Sequence, residues 1–549
     1  MDMTVAELFV ACLENEGVRY VFGVPGEENE DLLFALDGST IQFVPTRHEQ
    51  GAAFMADVWG RLSGQAGVCL STLGPGATNL VTGVADADLD KSPVVAITGQ
   101  AGLNRLHKES HQYLDILSLF RPITKWNASI ANPVVVAEVV RKAFKVAEEE
   151  KPGATHIELP EDVAKLPAEG KPLKVVTVRR PDPDQPALRD AAKLLAGAKK
   201  PLVIAGNGAV RKDASRHLRE LVGRCHIPIV HTFMGQGAVS DDSPESLHTL
   251  GLGFRDIVMD AVDQADVILA AGYDIAEYAP SAWNPKREKT IIHIDFTTAE
   301  VDAYYEPAVE IVADVPASLR ELNRLLAEAA CPVNHDWYVP VRDRIRAEIK
   351  SYDLAEGDPF TVPGVLNILR EVMADDDLLI SDVGGHKLWI ARNFPTRCPN
   401  GCIISNGLAS MGIALPGAVA AALYNPDRRI VAVMGDGGFL MNSQELETAK
   451  RLGVGFTVLL FNDNDYGLIS WKQSVHRGRS TGTRITNPDF VAYAKSFGVD
   501  AHRPSGVSEL RQRLTESLKK RTLTVIEVPL DQQINRQVID KLMGGARTR

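Results

Sequence analysis

Short runs of β-forming residues alternate with helix-patterned segments along nearly all of the 549 residues. A chain with that rhythm can bury its strands only in parallel sheets covered by helices. Strand candidates fall at Tyr20–Val24, Val68–Thr72, Val94–Thr98, Pro201–Ala205 and Val267–Ala271. More follow at Thr290–Ile294, Leu378–Ser381, Ile430–Met434, Thr457–Phe461 and Leu523–Val528. Between them, Val134–Glu150 and Leu188–Leu195 carry apolar residues at the three- and four-residue spacing of a helix. Two breaks interrupt the pattern: Leu166–Pro186, with five prolines and clustered charge, and a charge-rich stretch from about Ala330 to Pro363. The expected fold is α/β in three domains, 1–165, 186–330 and 358–535, each a mainly parallel sheet flanked by helices. The first and last blocks share a plan of parallel strands ending in Gly-rich turns, which points to a duplication.

Apolar residues make up 45% and charged residues 24% of the chain, a balance that excludes a disordered, collagen-like or coiled-coil protein. The net charge of −12 argues against nucleic acid or an anionic membrane as the main partner, although a local site can oppose the global sign. No stretch of about 18 uncharged apolar residues predicts a membrane span, and no basic region leads into an apolar core at the N-terminus, so no secretory signal is expected. The six cysteines (Cys12, Cys69, Cys225, Cys331, Cys398, Cys402) are sparse and read as free thiols, the Cys398/Cys402 pair having no second pair at zinc spacing. The expected compartment is the cytoplasm.

The chemistry concentrates in Val431–Gln473. One strand ends in Gly435-Asp436-Gly437-Gly438, a helix is expected over Ser443–Arg451, and a second strand ends in Asn462-Asp463-Asn464-Asp465. Parallel strands bring both ends to one sheet edge, so Asp436 and Asp463 converge across 27 positions. Carboxylates, a main-chain carbonyl and phosphate oxygens make a hard site that suits Mg²⁺, with Asp436, Asp463 and Asp465 as candidate metal residues. The glycines admit phosphate close to the backbone, and helix N–H groups face it.

A GDG turn followed about 25 residues later by Asn and then Asn or Asp at a strand end is the thiamin diphosphate motif. On it the chain resembles the thiamin-diphosphate-dependent 2-oxo-acid enzymes. Further matches run in chain order. Arg47-His48-Glu49 resembles the segment whose Glu activates the coenzyme, by hydrogen bonding N1′ of its pyrimidine so that the 4′ nitrogen can take the proton from the thiazolium carbon. Pro25 and Gly26, then Gly74, Pro75 and Asn79, resemble segments beside the coenzyme rings. Val383, Gly384, Gly385 and His386 match a second diphosphate turn. Ala409 and Met411 match the residues that meet the 4′-amino group and wedge between the two rings. Gly435, Asp436, Gly437, Gly438 and Asp463 complete the diphosphate and metal set, and Tyr466, Gly467, Leu468 and Ile469 line the substrate side.

Within this family the chain is similar to the acetolactate synthases, and to their catabolic, FAD-independent type through Ser110-His111-Gln112-Tyr113-Leu114-Asp115 and Gly272-Tyr273-Asp274 through Tyr278. The resemblance implies decarboxylation of pyruvate and carboligation to a second pyruvate, giving 2-acetolactate, with His111 and Gln112 as candidate catalytic residues beside Glu49. It implies thiamin diphosphate and Mg²⁺ as cofactors, with FAD disfavoured. It also implies a homodimer or homotetramer whose active site lies between subunits. Glu27-Glu28 departs from the catabolic pattern, and these two are expected in the first turn of the following helix. The alternatives are a 2-oxo-acid decarboxylase, although no adjacent His-His pair is present, and another thiamin-diphosphate-dependent acyl or aldehyde transferase. Gly206-Asn207-Gly208 after a strand is a partial dinucleotide motif with Arg211 where a third Gly belongs. The spacing of His107 and His111 offers no third metal ligand.

Overall fold

Eighteen strands form three parallel six-stranded sheets in a computed structural model that describes residues 3–252, 256–328 and 336–542. Cys331, and Ala330 at which the middle block was expected to end, lie outside the described residues. The first sheet contains β1 (Tyr20–Gly23), β2 (Gln42–Pro45), β3 (Gly67–Ser71), β4 (Val94–Gln100), β5 (Trp126–Ser129) and β6 (Ala154–Pro160), in the order 2-1-3-4-6-5. The second contains β7 (Pro201–Ala205), β8 (Ile229–His231), β9 (Ser246–Thr249), β10 (Val267–Ala271), β11 (Thr290–Asp295) and β12 (Pro307–Val312), in the order 12-11-10-7-8-9. The third contains β13 (Leu378–Ser381), β14 (Cys402–Ile404), β15 (Ile430–Gly435), β16 (Thr457–Asn462), β17 (Asp500–His502) and β18 (Thr524–Pro529), in the order 14-13-15-16-18-17. The third order repeats the first, strand for strand. The second is the order of dinucleotide-binding sheets.

The central strands are buried along their whole length, as β3 and β4 show, because helices cover both faces. The covering helices bury one stripe; Val136–Glu148 turns Val136, Val140, Ala143, Phe144 and Ala147 inward. Residues 170–184 run as irregular chain between the first two sheets, with Val176 63% exposed, as the prolines imply. One apolar cluster joins the end domains, running from Phe22 and Val58 to Ile413, Ala418 and Leu460. At its centre the helix Glu49–Ser63 lies against the helix Ala414–Tyr424, so closely that a Cβ on Gly417 would stand 2.7 Å from Val58. A helix already begins at Asp436 (Asp436–Asn442), ahead of the one expected after it, which spans Glu445–Leu452.

Candidate active site

In the third sheet the chain runs outward from β13 to β14 and in the opposite direction to β15 and β16. This reversal opens a crevice at the C-terminal strand ends, the place where open α/β sheets bind ligands. A cavity lies there, lined by Val383–His386, Met411, Gly435–Gly438, Asp463, Asp465 and Tyr466–Ile469. Three helices start on it: Gly385–Asn393, Asp436–Asn442 and Gly467–Arg477. Their first turns present N–H groups that have no partner within the helix, a setting for an anion.

The carboxylates of this cavity are held from several sides. Asp436 accepts hydrogen bonds from the Gly437 N–H at 2.8 Å, the Asn464 N–H at 2.7 Å and Asn487 Nδ2 at 2.7 Å. Asp463 accepts from the Asp465 N–H at 3.2 Å and from Asn535 Nδ2 at 3.4 Å. Burial raises the Asp436 carboxyl above its ordinary range. Burial, and then the charges of Asp436 and Asp465, push Asp463 up to about 7. No Lys or Arg is among the lining residues. Asp465 Oδ1, Asn535 Oδ1 and His386 Nε2 are buried there without a hydrogen-bond partner. Asp382, behind Gly438, also keeps one oxygen unpartnered while burial pushes its carboxyl up to about 7. Crowded acceptors with no cation of the protein's own fit a divalent metal ion with a bound diphosphate. Among the described residues, three acidic side chains with oxygens all within 4.8 Å of one another occur at Asp57, Asp86 and Asp90, and Asp436, Asp463 and Asp465 do not form such a group.

The remaining candidates do not line this cavity. Apart from Ala409, they gather at the matching ends of the first sheet, where β1, β2 and β3 lead into Pro25 and Gly26, Glu49, and Gly74 and Pro75. Glu49 opens the helix Glu49–Ser63, capped by His48, whose Nδ1 accepts from the Gln50 N–H at 3.1 Å. The Glu49 side chain is buried, 8% exposed, and its Oε2 accepts from Asn79 Nδ2 at 2.9 Å. Gly74 has φ +51°, and a Cβ there would stand 2.6 Å from the Gln112 carbonyl oxygen, so this turn needs glycine. Gln112 and Ala409 are themselves left-handed, with φ 58° and 59°. Such backbone costs a side-chain-bearing residue free energy and tends to mark functional turns. Ala409 does not line the cavity, although Met411, two residues on, does. His111 is exposed, its carbonyl accepting from Arg105 at 3.0 Å, and it shares no helix with His107. Glu27 and Glu28 form a short 3₁₀ turn ahead of the helix Glu30–Asp37 rather than that helix's first turn. Glu28 accepts from Thr72 Oγ1 at 2.7 Å, while Glu27 lines a surface cleft with Pro25 and Gly26.

Sequence reasoning missed Asn487, Gln532 and Asn535. The first bonds Asp436, and the other two reach Asp463, Gln532 through the carbonyl at 2.5 Å. They stand outside any Gly-rich turn or strand end, so nothing local marks them. In the middle domain the Gly206–Gly208 turn packs on Gly272, and its Asn207 N–H donates to the buried carboxylate of Glu277 at 2.9 Å.

Comparison with known proteins matches three family models: "Thiamine pyrophosphate enzyme, N-terminal TPP binding domain" at 3–119, its central domain at 188–322, and its C-terminal TPP binding domain at 382–528. The chain is 34% identical to the acetolactate synthase of Bacillus subtilis over 96% of its own length and 94% of the relative's. It is also 34% identical to the catabolic acetolactate synthase of Raoultella terrigena, over 98% and 97%. The chain belongs to the thiamine pyrophosphate enzymes. It is an acetolactate-synthase-like member that uses thiamin diphosphate. A large subunit of acetolactate synthase isozyme 1 from Escherichia coli is nearly as similar, at 32% over 96% and 94%, so identity alone does not separate the types. The two terminal family matches of this thiamine pyrophosphate enzyme cover Glu49 and its neighbours in the first domain and most of the cavity lining in the third. The helix Gln532–Leu542, which reaches Asp463, lies beyond the C-terminal match. No helix among the described residues is long and apolar enough to cross a membrane.

Proposed function

We propose that this enzyme condenses two molecules of pyruvate to 2-acetolactate with loss of CO₂, using Mg²⁺ with its thiamin diphosphate, in a chain divided at 1–165, 186–330 and 358–535. The observation that carries the metal is the cavity itself, with three aspartates and no cation among its lining residues. Asp436 and Asp463 would hold the ion, with a main-chain oxygen of the Asp463–Asp465 loop, and helix N–H groups from Gly385 and Gly467 would hold the diphosphate. Bound thiamin diphosphate supplies a thiazolium carbon that adds to a keto carbon and accepts the electron pair released with CO₂. Glu49 would hold the proton at N1′ of the coenzyme's pyrimidine, and Asn79 orients its carboxylate. Met411 would keep the two rings bent toward each other. His111 and Gln112, exposed beside Gly74, would meet the acceptor substrate.

Glu49 does not line the cavity of its own chain, so on this reading each is a half-site that a second copy would complete, and the assembly proposed is a homodimer or a pair of dimers. No flavin is included in this reading. At the first turn of the middle sheet, where a dinucleotide would place its pyrophosphate, Glu277 already accepts the Asn207 N–H, and two negative groups would compete for one donor. A cytoplasmic setting suits the five described cysteines, which form no disulfide.

Purified protein with thiamin diphosphate, Mg²⁺ and pyruvate should form acetolactate, read as acetoin after acid treatment. Acetaldehyde as the main product would favour the decarboxylase instead, and no consumption of pyruvate would reject both.

A further inference from the structure

Three fully buried carboxylates outside the two half-sites make crossed contacts between the end domains. Glu445, on the third domain's helix Glu445–Leu452, reaches the first domain. Its Oε1 accepts from the main-chain N–H groups of Arg47 at 3.0 Å and His48 at 3.2 Å, and its Oε2 from the Thr448 hydroxyl at 2.6 Å. Arg47 and His48 form the turn that delivers Glu49. In the other direction, Asp86 and Asp90 close the first domain's helix Pro75–Leu89 and reach the third domain. Asp86 Oδ1 accepts from the Ser405 hydroxyl at 3.0 Å and the Ser410 N–H at 3.2 Å. Asp90 Oδ1 accepts from the N–H groups of Asn406 at 3.2 Å and Gly407 at 2.6 Å. These residues form the loop that carries Ala409 and leads to Met411 in the cavity wall.

The two contacts are equivalent by topology. Strands β2 and β14 hold the same place in their sheets, and the held turns leave those strands to enter Glu49–Ser63 and Ala414–Tyr424. The holding carboxylates come from the segments after β3 and β15, which are again equivalent. Each carboxylate oxygen has two lone pairs and accepts two donors at once, which fixes a turn that no helix or sheet bond holds. Arg61 steadies one end, bonding both Asp90 at 3.2 Å and the Ile404 carbonyl at 3.1 Å.

We propose that Glu445, Asp86 and Asp90 are positioning residues, a reciprocal pair of braces by which each end domain sets the coenzyme-facing turn of the other. The braces matter for catalysis only if the functional reading above holds, but their geometry can be tested without substrate. Hydrogen–deuterium exchange on the full chain, with and without thiamin diphosphate and Mg²⁺, reads each turn separately. Glu445→Ala should speed exchange at Arg47 and His48 at least about tenfold and leave residues 405–410 protected; Asp86→Ala should do the reverse. Glu445→Gln and Asp86→Asn keep an accepting oxygen and should retain protection within about threefold of the parent. In turnover, the alanine variants should lose kcat at least about tenfold with the pyruvate KM changed less than about twofold. Unchanged exchange at the braced turn, equal loosening of both turns by either alanine variant, or amide variants as fast as alanine ones would overturn the proposal. A chain that shows the crossed pattern but makes no acetolactate would reject the functional reading and leave the braces standing.

Discussion

Replacing Asp463 with Asn should make the metal-free chain more stable and, by the same change, weaken its hold on Mg²⁺ and coenzyme. Burial first, and then the charges of Asp436 and Asp465, push the Asp463 carboxyl up to about 7 from an ordinary 3.8. At about 1.4 kcal/mol per pH unit of displacement, keeping it ionised at pH 8 costs the folded, metal-free chain about 4 kcal/mol. The sign follows from proton binding. A folded-state value above the unfolded one means the folded chain binds the extra proton more tightly. That stability is complete below about pH 4 and lost as pH rises through about 7. Asn keeps an oxygen for the Asp465 N–H and has no proton to lose, so the variant should exceed the parent at pH 8 by up to about 4 kcal/mol. For domains of about 150–250 residues each kcal/mol moves a melting temperature by about 2–4 °C. Scanning fluorimetry in chelator at pH 5 and pH 8 measures it. Adding Mg²⁺ and thiamin diphosphate should narrow or reverse the order, because ligand binding stabilises the parent in proportion to its affinity. A variant no more stable than the parent at pH 8 without metal, or a parent whose melting temperature does not fall between those pH values, would refute the reasoning.

Glu49→Gln should leave thiamin diphosphate bound, by fluorescence titration, while lowering kcat at least about 100-fold, since the amide cannot exchange a proton at N1′. Asp436→Ala removes the acceptor of three hydrogen bonds as well as a charge, and coenzyme binding measured by calorimetry should disappear; normal affinity would reject the metal assignment. Ala409→Gly relieves a left-handed residue, so the chain should gain about 1 kcal/mol while turnover falls through a looser loop, read together by melting curves and kinetics. Glu27→Gln removes a negative charge from the cleft beside Gly26 and should lower the pyruvate KM about twofold at low salt, with the difference shrinking as salt is added.

What the sequence showed follows burial. Every strand anticipated from the sequence sits inside a sheet, because interior strands such as β4 and β15 are continuous apolar runs. The six edge strands escaped notice. Strand β12 buries only Ile311 among half-buried and exposed residues, and β2 offers one buried residue in four, so neither reads as a run. Two interior strands were missed for other reasons: β8 is only three residues long, and in β6 Thr155, His156 and Glu158 are buried, with polar side chains that find partners only in the folded chain, as His156 does in Thr98 and Glu158 in Gln100. The site divides in the same way. Residues on Gly-rich strand ends were legible from spacing, whereas Asn487, Asn535 and Glu445 act across 51, 72 and 398 positions. No local pattern encodes contacts of that range.

The repeated strand order explains why the chemistry is split. Each end sheet reverses direction at the same point and opens the same crevice, but the two crevices carry different residues: a carboxylate hydrogen-bonded by an amide in one, a cation-free set of aspartates in the other. Close packing of Glu49–Ser63 on Ala414–Tyr424 joins the two end domains, and Glu49 does not line the cavity of the third. One chain therefore holds two unlike halves, and the proposed second copy is what would bring unlike crevices together. In the proposed assembly two sites would be linked through the helices that carry Glu49 and Asn79 toward their N-terminal ends and Arg61 and Asp86 toward their C-terminal ends. A rise of about 1.5 Å per residue sets those groups about 18 Å apart along Glu49–Ser63 and about 11 Å apart along Pro75–Leu89. On the proposed reading, the same two helices that present Glu49 and Asn79 at one end would hold the 404–410 loop at the other. With a net charge of −12, the proposed Mg²⁺ and the helix N–H groups aimed at the cavity would offset the charge of an anionic ligand there.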